Sequence, residues 1–126
     1  MLAEWTLNAV CGVAARCRIE AGDFFVGVPA GADLYLLKSV LHNWDDESCR
    51  RILARCVDAM PPRARLVVIE RLRPESAGHG PRDREVARTD LNMLVSLSGR
   101  ERSRSEYARL LADAGLALSS ACETTG

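Results

Sequence analysis

The chain has 126 residues, 48% of them hydrophobic, and its 17 basic and 17 acidic side chains cancel. That is enough apolar content for one small domain or a piece of a larger one, and too much for a disordered tail. The balanced charge leaves no nucleic-acid or anionic-membrane footprint, and no apolar run has the length of a membrane span.

No charged-then-apolar signal pattern follows Met1, so a cytoplasmic protein is the expectation. The five cysteines are odd in number and form no C-x-x-C pair, which points to reduced, buried thiols rather than a metal or disulfide framework.

In chain order, Leu2 to Gly12 reads as a helix stopped by its glycine, and Arg16 to Ala21 as a weak strand leading into Gly22-Asp23-Phe24-Phe25. Pro29-Ala30-Gly31 is a turn. Leu34 to Leu41 is then an apolar run broken only by Lys38 and Ser39. Being apolar on both parities, it reads as a buried strand of a parallel sheet. In such sheets ligands bind beyond the carboxyl ends of the strands, which is where His42 falls. His42 is therefore the first candidate for chemistry. Lys38, a charge inside an apolar run, calls for a counter-ion or a ligand.

Asp45 to Met60 is the clearest helix. Cys49, Ile52, Leu53, Cys56, Val57 and Met60 recur at three- and four-residue steps, Asp45 suits the N-cap, and Pro61-Pro62 ends the element. Arg65 to Glu70 reads as a second short strand. Strand, helix, strand with short connections is a βαβ unit. If its strands are neighbours, their ends lie about 5 Å apart, bringing His42 and Glu70 to one edge.

Pro74 to Arg84 should be an exposed loop in which His79 faces solvent. Val86 to Leu97 reads as a helix closed by Gly99, with Met93 in its apolar face. Ser103 to Glu106 is a capping box opening a last helix whose apolar face is Tyr107, Leu110, Leu111 and Ala114. Gly115 ends it, and Leu116 to Cys122 could start another strand.

The segments GDFFVGVPAGADLYLLKSVLHNWDDESCRRIL, LVVIERLRP, DLNMLV and GRERS, in this order from about Val13 to Leu118, together resemble the S-adenosyl-L-methionine-dependent O-methyltransferases of the caffeic acid and acetylserotonin type. The resemblance implies a Rossmann-like α/β fold with strands near Arg18, Leu36 and Val68. It implies methyl transfer to a hydroxyl of a small, usually aromatic, molecule. It also implies roles: His42 as general base, Glu70 and Glu101 positioning it, Asp23 and Phe24 lining the adenine site, and Lys38 contacting the cofactor. Trp44 would pack near that cofactor. Full-length members are expected to be homodimers, with neither nucleic acid nor membrane as a partner.

The chemistry explains the residue types. A phenol near pKa 10 and a histidine near 6.5 differ by roughly 3.5 units, or about 5 kcal/mol. A carboxylate beside the imidazole fixes its tautomer and supports the imidazolium. Alignment of oxygen, methyl and sulfur is the remaining requirement.

The chain also departs from the family pattern. Asn43 stands where many members have aspartate, and no G-x-G-x-G turn follows a strand. The fold is therefore expected to be incomplete, with residues 1–126 forming a C-terminal portion of the catalytic domain and no N-terminal dimerisation domain. The alternative function is a non-catalytic remnant that serves as a binding or interaction module.

Overall fold

The apolar run after Asp33 becomes strand β1 (Leu34–Lys38), and Arg65–Ile69 becomes β2, in a computed structural model that describes residues 12–75 and 99–124. The strands pair in parallel, from Leu34 beside Arg65 to Lys38 beside Ile69. Helix α1 (Asp46–Ala59) connects them, so the expected βαβ unit is present.

Helix α1 forms where the stripe and its caps agree. The Asp45 carboxylate accepts the Ser48 N–H at 2.7 Å, satisfying one of the helix's orphan donors. Asp46 and Glu47 occupy the first turn, where the helix dipole favours anions. Cys49, Ile52, Leu53 and Cys56 are buried, whereas Cys17 and Cys122, on irregular chain, are exposed, so the expectation of buried thiols holds only on this helix. Met60 leaves the helix in an extended conformation, as the residue before a proline must.

Helix α2 (Arg104–Asp113) opens on the expected capping box between Ser103 and Glu106. It buries Tyr107, Leu110 and Leu111 against α1, and Leu41 completes this core. Gly115 ends α2 with φ 81°, a left-handed conformation that costs glycine little.

Leu37, Leu66 and Val68 pack on the core from one side of the sheet. On the other side Leu34 and Leu36 are 58% and 57% exposed, with Val67 and Ile69 near 40%. The expectation of a strand covered on both faces is thus met on one face only, because among the described residues no layer lies on the other.

Three further expectations need correction. Arg16 to Ala21 is not a strand: a 3-10 turn at Ala14–Arg16 leads into exposed irregular chain, tied locally by an Arg18–Glu20 ion pair. An extended segment becomes a strand only when a neighbouring strand takes its backbone bonds, and no strand among the described residues pairs with it. Leu116 to Cys122 is likewise irregular. Strand β1 stops at Lys38 rather than Leu41, and His42 sits in a 3-10 turn, Leu41–Asn43. The helices expected at Leu2–Gly12 and Val86–Leu97, with Met93, and the loop histidine His79 fall essentially outside the described residues. No helix among the described residues is long and apolar enough to cross a membrane.

Candidate active site

The site begins where the parallel ladder ends. Ser39 N–H still donates to the Ile69 carbonyl at 3.0 Å. Ser39 then takes φ 55°, a region that L-residues avoid at a cost of about 1–2 kcal/mol. That reversal lifts the chain off the sheet and turns the next amides toward Glu70, the residue after β2.

Glu70 Oε1 accepts the N–H groups of Val40 at 3.0 Å and Leu41 at 2.8 Å, with a longer contact to that of His42 at 3.4 Å. Its other oxygen, Oε2, lies 2.6 Å from His42 Nδ1. A carboxylate only accepts, so Nδ1 carries the proton in this pair. The second ring nitrogen, Nε2, is then the unprotonated one in neutral imidazole. The Glu70 side chain is 2% exposed and that of His42 17%, so the bond is shielded from competing water.

Carbonyls on the opposite side of the turn meet Arg102, which is fully buried. Its Nη1 donates to the Leu41 carbonyl at 3.0 Å and its Nη2 to that of Trp44 at 2.8 Å. The same guanidinium holds Asp46 Oδ1 through Nε at 2.9 Å and Nη2 at 2.7 Å. Cys49 Sγ adds a bond to the Leu41 carbonyl at 3.2 Å. Burial pushes the Cys49 thiol up to about 11, despite the opposing Arg102 charge, which makes it inert. Gly99 packs directly on the turn: a Cβ there would stand 2.0 Å from the His42 carbonyl oxygen.

The Gly99–Ser103 stretch reaches this position by pairing with the continuation of β2. Leu72 and Arg102 form a parallel bridge, and Arg73 N–H donates to the Arg102 carbonyl at 2.9 Å. Glu101 is 3% exposed within that stretch. Tyr107 of α2 is also buried. Burial first, then the charges of Glu70 and, more weakly, Glu101, raise its pKa against the pull of Arg102. Glu101 is thus a buried carboxylate within the stretch whose Gly99 and Arg102 meet the turn. It is not the acid of the capping box, which is Glu106.

Asp23 and Phe24 approach from another element. Asp23 Oδ1 accepts the Phe25 N–H at 2.8 Å, fixing a tight turn, and the carboxylate remains exposed. Phe24 and Phe25 meet the Trp44 ring edge-on, with centroids 5.9 and 4.9 Å away. Trp44, two residues after His42, thus joins the Asp23 turn to the His42 turn. Lys38 ends β1 and is exposed, so water solvates the ammonium and burial does not demand a counter-ion. His42 and Glu70 are brought into direct contact, Glu101 is buried in the Gly99–Ser103 stretch, and Phe24, next to Asp23, meets the Trp44 ring. Arg102, Gly99 and Ser39 were not anticipated. Arg102 and Gly99 lie in or beside the GRERS segment, but nothing in a sequence says that an arginine will be buried or that a glycine will meet another backbone.

A family model described as an O-methyltransferase domain matches residues 3–117. Among curated proteins, the chain is 49% identical over 108 residues to a mitomycin biosynthesis 6-O-methyltransferase of Streptomyces lavendulae, covering 83% of this chain and 29% of that protein. It is 43% identical over 113 residues to aclacinomycin 10-hydroxylase RdmB of Streptomyces purpurascens, covering 89% of this chain and 29% of the relative. Among solved structures it resembles the O-methyltransferase NcsB1 from neocarzinostatin biosynthesis, in complex with S-adenosyl-L-homocysteine and 1,4-dihydroxy-2-naphthoic acid. That likeness has a TM-score of 0.80 at 37% identity, over 94% of this chain and 34% of the other. The chain thus spans about a third of the length of the proteins it matches. With a family model spanning nearly its whole length and relatives above 40% identity, the chain belongs to the O-methyltransferase domain family.

Proposed function

We propose that this chain carries the base-bearing part of an S-adenosylmethionine-dependent O-methyltransferase that acts on a hydroxyl of a small aromatic molecule. In this reading residues 1–126 are a C-terminal portion of the catalytic domain. The observation that carries it is the 2.6 Å bond from His42 Nδ1 to a Glu70 carboxylate held by backbone amides. That bond fixes the tautomer which leaves Nε2 free to accept a proton.

Asp23 and Phe24 would hold the adenine end of the cofactor. The fit is chemical: an exposed carboxylate can accept from an exocyclic amine, and the Phe24–Trp44 border offers an apolar edge. Lys38, exposed at the carboxyl end of β1, would meet it from the sheet. When bound, the cofactor supplies an electrophilic methyl group on a sulfonium. His42 Nε2 takes the proton of the acceptor hydroxyl as that oxygen becomes the nucleophile. Glu70 holds the ring through Nδ1 and compensates the positive charge that the imidazole gains. Glu101, buried in the Gly99–Ser103 stretch, would supply a second carboxylate in support of the base. The relatives' aromatic substrates, such as the naphthoic acid in the NcsB1 complex, set the expected acceptor class.

The test is a segment swap. The 108 aligned residues replace their counterpart in the Streptomyces lavendulae methyltransferase, and transfer of a labelled methyl group to that enzyme's acceptor is followed. Methylated product supports the proposal. A folded swap that binds cofactor but transfers nothing favours a binding or interaction module. Hydroxylated product would favour a second reading, kept because a relative 43% identical is named a hydroxylase.

A further inference from the structure

We propose that Arg102 is a positioning residue for His42, fixing the carbonyl side of the base turn as Glu70 fixes its amide side, with Gly99 setting how closely the two segments approach. The proposal rests on the reading of His42 as base. Arg102 could instead be only a buried partner for Asp46, but its contacts argue otherwise. Besides Asp46, its fork spans the carbonyls of Leu41 and Trp44, which bracket His42. Of the two carbonyls between them, that of His42 is pressed against Gly99.

The short turn is thus held on two sides by opposite charges. A carboxylate takes its amides, and a guanidinium takes its carbonyls. Rotating the turn to carry the imidazole away from Glu70 would strand buried donors on one side and buried acceptors on the other. Lysine cannot replace this arrangement, because one ammonium cannot reproduce a planar fork that meets three acceptors at once. Gly99 limits the same motion sterically, since any side chain there would displace the His42 carbonyl. Loosening the clamp should change where the ring points, and hence its tautomer and reactivity, beyond any loss of stability.

Histidine-labelled 126-residue chain, examined by long-range 1H–15N spectra, reports the tautomer directly, with His79→Gln identifying the His42 signals. The wild-type chain should show His42 with Nδ1 protonated. Arg102→Met should lower the ratio of that tautomer to the other by at least about tenfold, with no rescue in Arg102→Lys. In the segment swap the same variants should lower kcat about 100-fold while leaving the cofactor KM within about twofold. Arg50→Ala, which breaks the Arg50–Asp113 ion pair between the helices, should change neither readout. If Arg102→Met does not fold, Arg102→Lys and Gly99→Ala carry the test, since each disturbs the same turn. A wild-type tautomer ratio in whichever of these variants fold overturns the proposal, even if thermal stability falls. A wild-type chain that lacks the Nδ1–H tautomer instead overturns the base reading, and this inference with it.

Discussion

Glu70→Gln is the smallest change that separates the two duties of Glu70. The amide keeps one acceptor oxygen and gains an NH2 group, nearly isosteric with the carboxylate. If its oxygen keeps the Val40 and Leu41 amides, now 3.0 and 2.8 Å from Oε1, the NH2 faces His42 Nδ1. A donor there makes Nδ1 the acceptor and moves the ring proton to Nε2, where the base must be empty. The flipped amide would instead set its NH2 against two backbone donors. The first orientation therefore wins, and catalysis bears the loss. Exchanging the carboxylate for an amide in a serine-protease triad has the same effect on tautomer and lowers kcat about 10⁴-fold. We expect a fall of about 10³–10⁴ in kcat of the segment swap, with cofactor KM nearly unchanged. Weakening the charge-assisted bonds should also cost about 1.5–3 kcal/mol in a denaturant titration. A Gln variant whose kcat stays within about threefold of wild type would refute the tautomer argument.

Ser39→Val should destabilise the chain by about 1–2 kcal/mol in denaturant melts, because a β-branched residue tolerates φ 55° poorly. Ser39→Gly should stay within about 0.5 kcal/mol, relief of strain offsetting added chain entropy. Glu106 sets an acid limit. Burial raises its pKa, but the Ser103 N–H, Arg73 and Arg100 outweigh this and bring it down to about 2. A depressed carboxylate stabilises the fold above its unfolded pKa and loses that contribution as pH falls through the folded one. Stability should therefore decline between about pH 4.5 and 2, and Glu106→Gln should flatten this part of the profile. On the exposed sheet face, Leu36→Lys should reduce binding of an apolar dye while leaving the melting temperature nearly unchanged, since Leu36 is 57% exposed.

Much of the fold could be read from local signals that agree with one another. Asp45, the stripe from Cys49 to Cys56 and Pro61 all specify α1, and α1 appears where they place it. The approach of Glu70 to His42 follows from topology, since adjacent parallel strands joined by one helix end at one edge. The three-residue gap between β1 and His42 does not follow. It depends on Ser39 adopting a left-handed conformation, which the amide bonds to Glu70 stabilise from outside the segment. Arg102 illustrates the same limit more strongly. By composition an arginine belongs on the surface, and its burial depends on Asp46 and two carbonyls more than fifty residues away in sequence. The segment around Arg18 failed for the opposite reason: its local propensity suits a strand, but pairing must come from elsewhere.

The most direct test of the base assignment is His42→Ala in the segment swap, with turnover and cofactor binding measured on the same preparation. Removing an imidazole that acts only on the acceptor oxygen should lower kcat by about 10²–10⁴ and leave the calorimetric Kd for S-adenosylmethionine within about twofold. Retained turnover, or equal losses in turnover and cofactor affinity, would contradict the assignment.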